Sequence, residues 1–409
     1  MPSIKRISTN DLEVGMYIAN SNNEWIPNGN LSRCGLIKDP LVVAKIKSLG
    51  IPEIYIDIAR GKAPESLATS NLELIKQKEN IQSLLKKPHI RLNEKTSFDA
   101  ELAVAKKIQS EGLALVESVM TNVKYGQAVD VNSTKELAGN VIESLLNNQN
   151  ALLCLTQLRT KDKYLVEHSF NVSIFMGILA VSLNIMGDEL NDLVTGALLH
   201  DVGKIKVSDG ILNKPGKLTS EEWREMQMHV TFGEQYLRDV PGLSKEIIDI
   251  CAQHHERLDG SGYPRKLAAS EIPLHSRMAA VVDVYDAITA DRVYHQGMAP
   301  AIALKKMVEW SDEIHLDKDL VYQFIRCLSV YPQGSFVLLN NQRLGIVQAL
   351  HKTEMKKPVV TIVYNLEKNI RVPNFPMDLS DPSCSCKIER VVLPEEYGLN
   401  LNELLGTLG

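Results

Sequence analysis

A mainly α-helical protein with a small sheet-forming segment at each end is the fold class this sequence predicts. Three observations predict it. From about residue 98 to 330, apolar residues recur at three- and four-residue spacing almost without interruption, the signature of amphipathic helices. Before that stretch, Met16-Tyr17-Ile18-Ala19 and Ile54-Tyr55-Ile56-Asp57 are short β-prone runs. After it, Ser335 to Leu339, Leu344 to Val347 and Val359 to Tyr364 are β runs split by turn residues.

Taken in order, residues 1–62 read as a small α/β unit in the place of a regulatory domain. Its two β runs enclose Asp39 to Leu49, which has helical spacing and stops at Gly50. Residues 63–97, richer in Lys, Pro, Ser and Asn, read as a linker carrying a helical piece at Leu72–Leu85. Residues 98–330 form the helical domain, and 331–409 a β-rich C-terminal extension in which Asn340-Asn341 turns the chain between two strands.

Composition narrows the function. With 44% hydrophobic residues in 409, the chain can bury a sizeable core. Its 45 basic and 50 acidic residues give a net charge of −5, which argues against DNA as a partner, because broad nucleic-acid binding needs a cationic surface to replace counterions. A small anionic ligand needs only a local cluster of cations. The start, MPSIKRISTNDLEVGMYIA, lacks the pattern of a signal peptide. The apolar stretch Ile174 to Leu183 is well short of the ~20 residues that span a bilayer. A cytoplasmic location without a membrane span is the expectation. The six cysteines are scattered apart from Cys384-Ser385-Cys386, which reads as free thiols in a loop rather than a disulfide or a metal site.

The histidines carry the chemistry. His200-Asp201 closes a helical run with Leu193, Val194, Ala197 and Leu198 on one side, and Val202-Gly203-Lys204 follows. An imidazole beside a carboxylate suits a divalent transition metal, Asp201 has two oxygens with which to bridge two ions, and Lys204 lies one turn on. Alone, such a pair is commonly accidental. His168 shares an apolar stripe with Tyr164, Phe175 and Leu179, where a lone histidine is usually structural, and His229 by itself is ambiguous. His254-His255-Glu256 is stronger, because it precedes the turn-rich Asp259-Gly260-Ser261-Gly262-Tyr263-Pro264. Asp283 and Asp286 then lie one turn apart on a helix with Ala279, Ala287 and Ala290, small residues that leave room for ions and ligand.

In this order, from His168 through His200-Asp201-x-x-Lys204, His229, His254-His255-Glu256, Gly262-Tyr263-Pro264 and Asp283-x-x-Asp286 to Asp291-Arg292, the chain closely resembles the HD-GYP branch of the HD phosphohydrolase superfamily. The resemblance covers about residues 130–330. The segment from Lys5 through Met16-Tyr17 to Asp57 is similar to DUF3391, a domain of unknown function that precedes some members. Tyr331 to Val347 resembles the β extension that follows such cores.

The resemblance implies a helical HD-type bundle and two divalent metal ions, iron or manganese. One ion would rest on His168, His200, Asp201 and Asp283, the other on Asp201, His229 and His254, with His255 either a ligand or a support. Some members hold a third metal through a Glu where this chain has Tyr164, and a phenol is a far weaker ligand at neutral pH. Lys204 would stabilise charge on the phosphate or steer the proton to the leaving oxygen. Gly262, Tyr263, Pro264, Asp286 and Arg292 would meet the substrate, Arg292 as a phosphate clamp and Asp286 at a guanine edge. His295 stands where the family often has Lys or Arg. The implied reaction is hydrolysis of cyclic di-GMP to linear pGpG, and onward to GMP, in bacterial second-messenger signalling. The alternatives are the same chemistry on another cyclic dinucleotide such as 3'3'-cGAMP, or a weakly active receptor or scaffold. Implied partners are GGDEF diguanylate cyclases, through the Gly-Tyr-Pro loop, and a second copy in a homodimer.

Overall fold

The computed structural model describes residues 4–19, 35–50, 53–62, 83, 95–157, 164–290, 297–298, 300–328, 331, 333–351, 354, 357–392 and 394–399. Two compact units, Met1–Asn80 and Ile81–Gly409, divide it. The helical piece expected at Leu72–Leu85 and the greater part of the linker fall outside the described residues.

In the first unit, β1 (Ile4–Ser8), β2 (Tyr17–Ile18), β3 (Gly35–Leu36) and β4 (Glu53–Asp57) form an antiparallel sheet in the order β1-β4-β2-β3. Helix α1 (Pro40–Ser48) starts where the sequence says it should. The Asp39 carboxylate accepts the Leu41 amide at 2.9 Å, and Pro40 occupies the first turn, where its missing N–H costs nothing. Ile7, Leu12, Met16, Ile18, Ile37, Ile54 and Ile56 fill the core.

The second unit opens with two long helices, α2 (Phe98–Lys124) and α3 (Val131–Leu155), capped by Ser97 and Asp130. Helix α4 (Tyr164–Ser182) is apolar nearly all round. By length and composition it is able to cross a membrane, yet it runs through the interior of this unit, and burial on every side accounts for its composition. Around it lie α5 (Gly187–Leu199), a 3-10 turn over Val202–Lys206, the short α6 (Asp209–Leu212), α7 (Ser220–Arg238), α8 (Lys245–Gln253), α9 (Leu274–Thr289), α10 (Pro300–Asp312) and α11 (Lys318–Cys327). Helix α7 begins with a reciprocal cap: Thr219 Oγ1 accepts the Glu222 amide while the Glu222 carboxylate accepts the Thr219 amide.

The chain ends in an antiparallel sheet, β8-β7-β6-β5-β9, built from β5 (Phe336–Leu339), β6 (Arg343–Ala349), β7 (Val359–Asn365), β8 (Ile370–Asp378) and β9 (Ile388–Val391). Alternating residues of β5 go to different cores. Phe336 and Leu338 pack with Cys154 of α3, and Val337 and Leu339 pack with Val360 and Ile362.

Candidate metal and substrate site

The donor residues come from the ends and faces of five helices and a 3-10 turn that converge in the helical unit. His168 lies on the second turn of α4, His200 caps the C-terminus of α5, and Asp201 leads into the 3-10 turn that carries Lys204. His229 lies on α7, His254 caps α8 with His255 next to it, and Asp283 lies on α9. Helix ends suit this purpose because the chain changes direction there while the side chain stays anchored.

One glycine makes the convergence possible. A Cβ on Gly203 would lie 1.9 Å from the His229 carbonyl oxygen and 2.5 Å from the Gly233 amide nitrogen, both backbone atoms. Only glycine therefore lets the 3-10 turn sit directly on α7 and bring Asp201 to His229.

Two donor groups result. Ligand-capable atoms of His168, His200 and Asp283 lie within 4.8 Å of one another, as do those of Asp201, His229, His254 and His255. Asp201 faces both groups. Its Oδ2 is 3.3 Å from the Nε2 atoms of both His168 and His200, while its Oδ1 is 3.4 Å from His229 Nε2 and 3.7 Å from His254 Nε2. Asp283 Oδ1 is 3.1 Å from His168 Nε2, and its Oδ2 is 3.6 Å from His255 Nδ1.

Backbone carbonyls set the imidazole tautomers. His200 Nδ1–H donates to Ala197 O at 2.7 Å, His229 Nδ1–H to Met226 O at 2.6 Å, and His254 Nδ1–H to Cys251 O at 2.9 Å. Each leaves a bare Nε2 lone pair turned inward. Those three Nε2 atoms and Asp201 Oδ1 are buried with no hydrogen-bond partner. Buried polar atoms without partners are expensive, and so many converging at one point fit a bound cation.

The electrostatics agree. Burial works to raise Asp201, but His200, Lys204 and His168 outweigh it and hold the carboxyl ionised, well below its usual range. Burial likewise opposes ionisation of Asp283, and the hydrogen bond from His168 and the neighbouring imidazoles prevail. His168 is raised well above an ordinary histidine, because Tyr164 and its three carboxylate partners overcome burial, so a cation held there would take the place of the Nε2 proton between Asp201 and Asp283. Burial lowers His229 to about 3 and also depresses His254 and His255, so all three remain neutral donors. Burial also works against the Lys204 ammonium, but Asp201 at 2.5 Å keeps it charged.

Above this centre opens a cavity of about 550 Å³, lined among others by Lys204, His229, His255, Asp283, Tyr164, Trp223, Arg257 and Tyr263. The Gly262-Tyr263-Pro264 loop forms one lip. A Cβ on Gly262 would lie 2.4 Å from the Arg257 amide nitrogen, and the Tyr263 ring lies 4.6 Å from that of His255. Burial pushes the Tyr263 phenol far above its usual value, so it stays protonated.

One expectation needs correction. Asp286 does not meet a substrate edge: it is fully buried, and its Oδ2 accepts the His168 Nδ1–H at 2.7 Å. It stands behind the imidazole and orients it, because the helical period that puts Asp283 at the centre turns Asp286 toward α4. Arg292 and its neighbours from Asp291 to His295 lie outside the described residues.

Two contributors escape a reading of the sequence. Glu256, beside the histidine pair, is turned away and accepts the amides of Arg265 at 2.7 Å and Leu267 at 3.0 Å, folding the loop back on itself. Trp223 occupies an outward position of α7, where only the neighbouring loop reveals that a cavity passes it.

An HD-domain family model matches residues 140–320, and the model for a domain of unknown function, DUF3391, matches residues 4–134, which takes in α2. A cyclic di-GMP phosphodiesterase of Pseudomonas aeruginosa is 33% identical over 378 residues, spanning 92% of this chain and 89% of that protein. The chain belongs to the HD-GYP family. Two further relatives match over shorter stretches. A 3'3'-cGAMP-specific phosphodiesterase of Vibrio cholerae is 40% identical over 149 residues, 36% of this chain and 32% of that protein. A cyclic di-GMP phosphodiesterase response regulator of Xanthomonas campestris is 39% identical over 132 residues, 31% of this chain and 34% of that protein. As an HD domain the chain binds divalent metal, and the paired donor groups are chemically suited to it.

Proposed function

We propose that this HD-GYP protein hydrolyses a phosphodiester bond of cyclic di-GMP, giving linear pGpG and, by a second cut, GMP. The observation that carries this is the pair of donor groups, with Asp201 facing both, beneath a cavity lined by His229, His255, Asp283 and Lys204. The relative matched along nearly the full chain acts on cyclic di-GMP, which supports the choice of substrate. The second reading is 3'3'-cGAMP, supported by 40% identity over 149 residues to a phosphodiesterase specific for it.

In this proposal His168, His200, Asp201 and Asp283 hold one ion, and Asp201, His229 and His254 hold the second. The mixed imidazole and carboxylate set suits iron or manganese better than zinc. Two such ions, when bound, supply Lewis acidity toward the phosphodiester and toward the attacking water. Asp286 and the carbonyls of Ala197, Met226 and Cys251 keep the imidazoles in the tautomer that offers Nε2 or, for His168, aim the ring at Asp201 and Asp283. Lys204 places its charge beside Asp201 at the cavity floor and stabilises the developing charge on the phosphate or its leaving oxygen. Tyr263 shields the centre from bulk water and leans, tilted by 31°, against the His255 ring at 4.6 Å. Chromatography of products from cyclic di-GMP, 3'3'-cGAMP and pGpG, on metal-reconstituted protein, tests the proposal. Preferential loss of cyclic di-GMP supports the first reading, preferential loss of cGAMP the second, and no turnover of any of them sinks both.

A further inference from the structure

The cavity has one exposed aromatic wall for which the chemistry at its floor has no need. Trp223 is 46% exposed, its indole meets Tyr263 edge-on at 5.9 Å, and Tyr263 in turn rests on His255 at 4.6 Å. Leu212, Leu218 and Met226, from the same stretch of chain, continue this wall. An indole left half in water and held upright at the mouth of a polar site is an unused stacking surface. The other described tryptophan of the cavity, Trp310, has the Lys306 ammonium over its ring at 5.3 Å and is less available.

Resting on the proposed cyclic-dinucleotide activity, we infer that Trp223 is the stacking platform for the purine next to the scissile phosphate. A phosphate lying over Asp201 and Lys204 leaves its base at the adjoining apolar wall, and a flat π-face is what every purine offers, whichever substituents it carries. Trp223 therefore positions the dinucleotide without choosing between guanine and adenine, and base choice falls to other groups.

The test compares wild type, Trp223→Ala and Trp223→Phe, each with its metal content measured. The substrates are cyclic di-GMP and methyl p-nitrophenyl phosphate, a diester without a purine. For Trp223→Ala, KM for cyclic di-GMP should rise about tenfold or more, with kcat changed less than about threefold. The ratio of kcat/KM between the two substrates should fall by a similar factor, and Trp223→Phe should recover most of it. Cyclic di-GMP should quench the tryptophan emission of the wild type, and Trp223→Phe should remove most of that quench, leaving only the share that arises from Trp310. Equal losses on both diesters, or a quench undiminished in Trp223→Phe, would overturn the platform while leaving the phosphodiesterase reading intact. A wild-type protein that cleaves the small diester but neither binds nor cleaves a cyclic dinucleotide would overturn both.

Discussion

Asp201 and Lys204 touch at 2.5 Å and yet have separable tasks. Asp201 turns one oxygen to each donor group, so Asp201→Ala should lose at least one ion and essentially all turnover. Lys204 offers no ligand atom while protonated. Lys204→Ala should keep its metal and lose roughly 10²–10³ in rate, the usual scale for one preorganised stabiliser. Metal analysis with single-turnover kinetics on both variants checks this, and wild-type rates in Lys204→Ala would remove the lysine from the mechanism. His229 sets a pH dependence. Its folded pKa is about 3, against 6.5 for a free imidazole. Between those values the unfolded chain binds a proton that the folded chain does not, so this residue draws stability down as pH falls through 6.5. His168 has the opposite sign: its raised pKa contributes stability below 6.5 that is lost as pH climbs through the folded value. Under chelation, His229→Gln should therefore show a shallower fall in Tm than wild type from about pH 7 to about pH 4.5. Parallel slopes would show that His229 does not resist protonation.

The approach of the 3-10 turn to α7 gives a test of element packing. Alanine at Gly203 would drive a methyl into the backbone of α7, which cannot yield as a side chain can. We expect a loss of about 1–3 kcal/mol or more together with loss of metal, because the displaced turn carries Asp201. Gly139, in the body of α3, is the contrast: an added Cβ would meet only the Asn191 amide at 3.7 Å, an ordinary contact. Gly139→Ala should stabilise by about 0.4–1 kcal/mol through reduced freedom of the unfolded chain. Denaturant titrations of both variants decide the matter, and a Gly203→Ala protein as stable and metal-replete as wild type would contradict the steric argument.

Across the second unit, burial rather than sequence position governs thiol chemistry. Cys154, between α3 and the C-terminal sheet, is pushed up to about 12 by burial, and Cys251 on α8 is raised further still. Native protein treated with iodoacetamide near pH 8 should carry label at the partly exposed Cys384 and Cys386 well before Cys154 or Cys251. Peptide mass mapping reads this directly, and early labelling of Cys154 would mean that the sheet separates from the bundle. Metal should also stabilise the unit as a whole, since the donors come from five helices and the 3-10 turn and are brought together only by folding. Chelation is expected to lower Tm, and an unchanged Tm would mean that the ions are not held by these donors.

Much of this was legible beforehand because it rests on local rules. The helical period over residues 98–330, the helical spacing of Asp39 to Leu49 and the β runs at Ser335 to Leu339, Leu344 to Val347 and Val359 to Tyr364 follow from steric and hydrogen-bonding preferences that act within a few residues. The histidines and aspartates at the centre were likewise named from spacing and resemblance, since a metal site constrains residue type strongly. Strand β1 escaped notice because Lys5 and Arg6 interrupt its apolar pattern and its pairing partner, β4, is some fifty residues away. Tertiary structure alone decided which way Asp286 and Glu256 turn. Sequence shows a carboxylate one turn from Asp283 and another beside a histidine pair, but both carboxylates serve groups elsewhere in the chain, an imidazole on α4 and the amides of a returning loop. Whether a polar side chain faces ligand or neighbour depends on what packs against its element, and that is set by contacts between segments far apart in the chain.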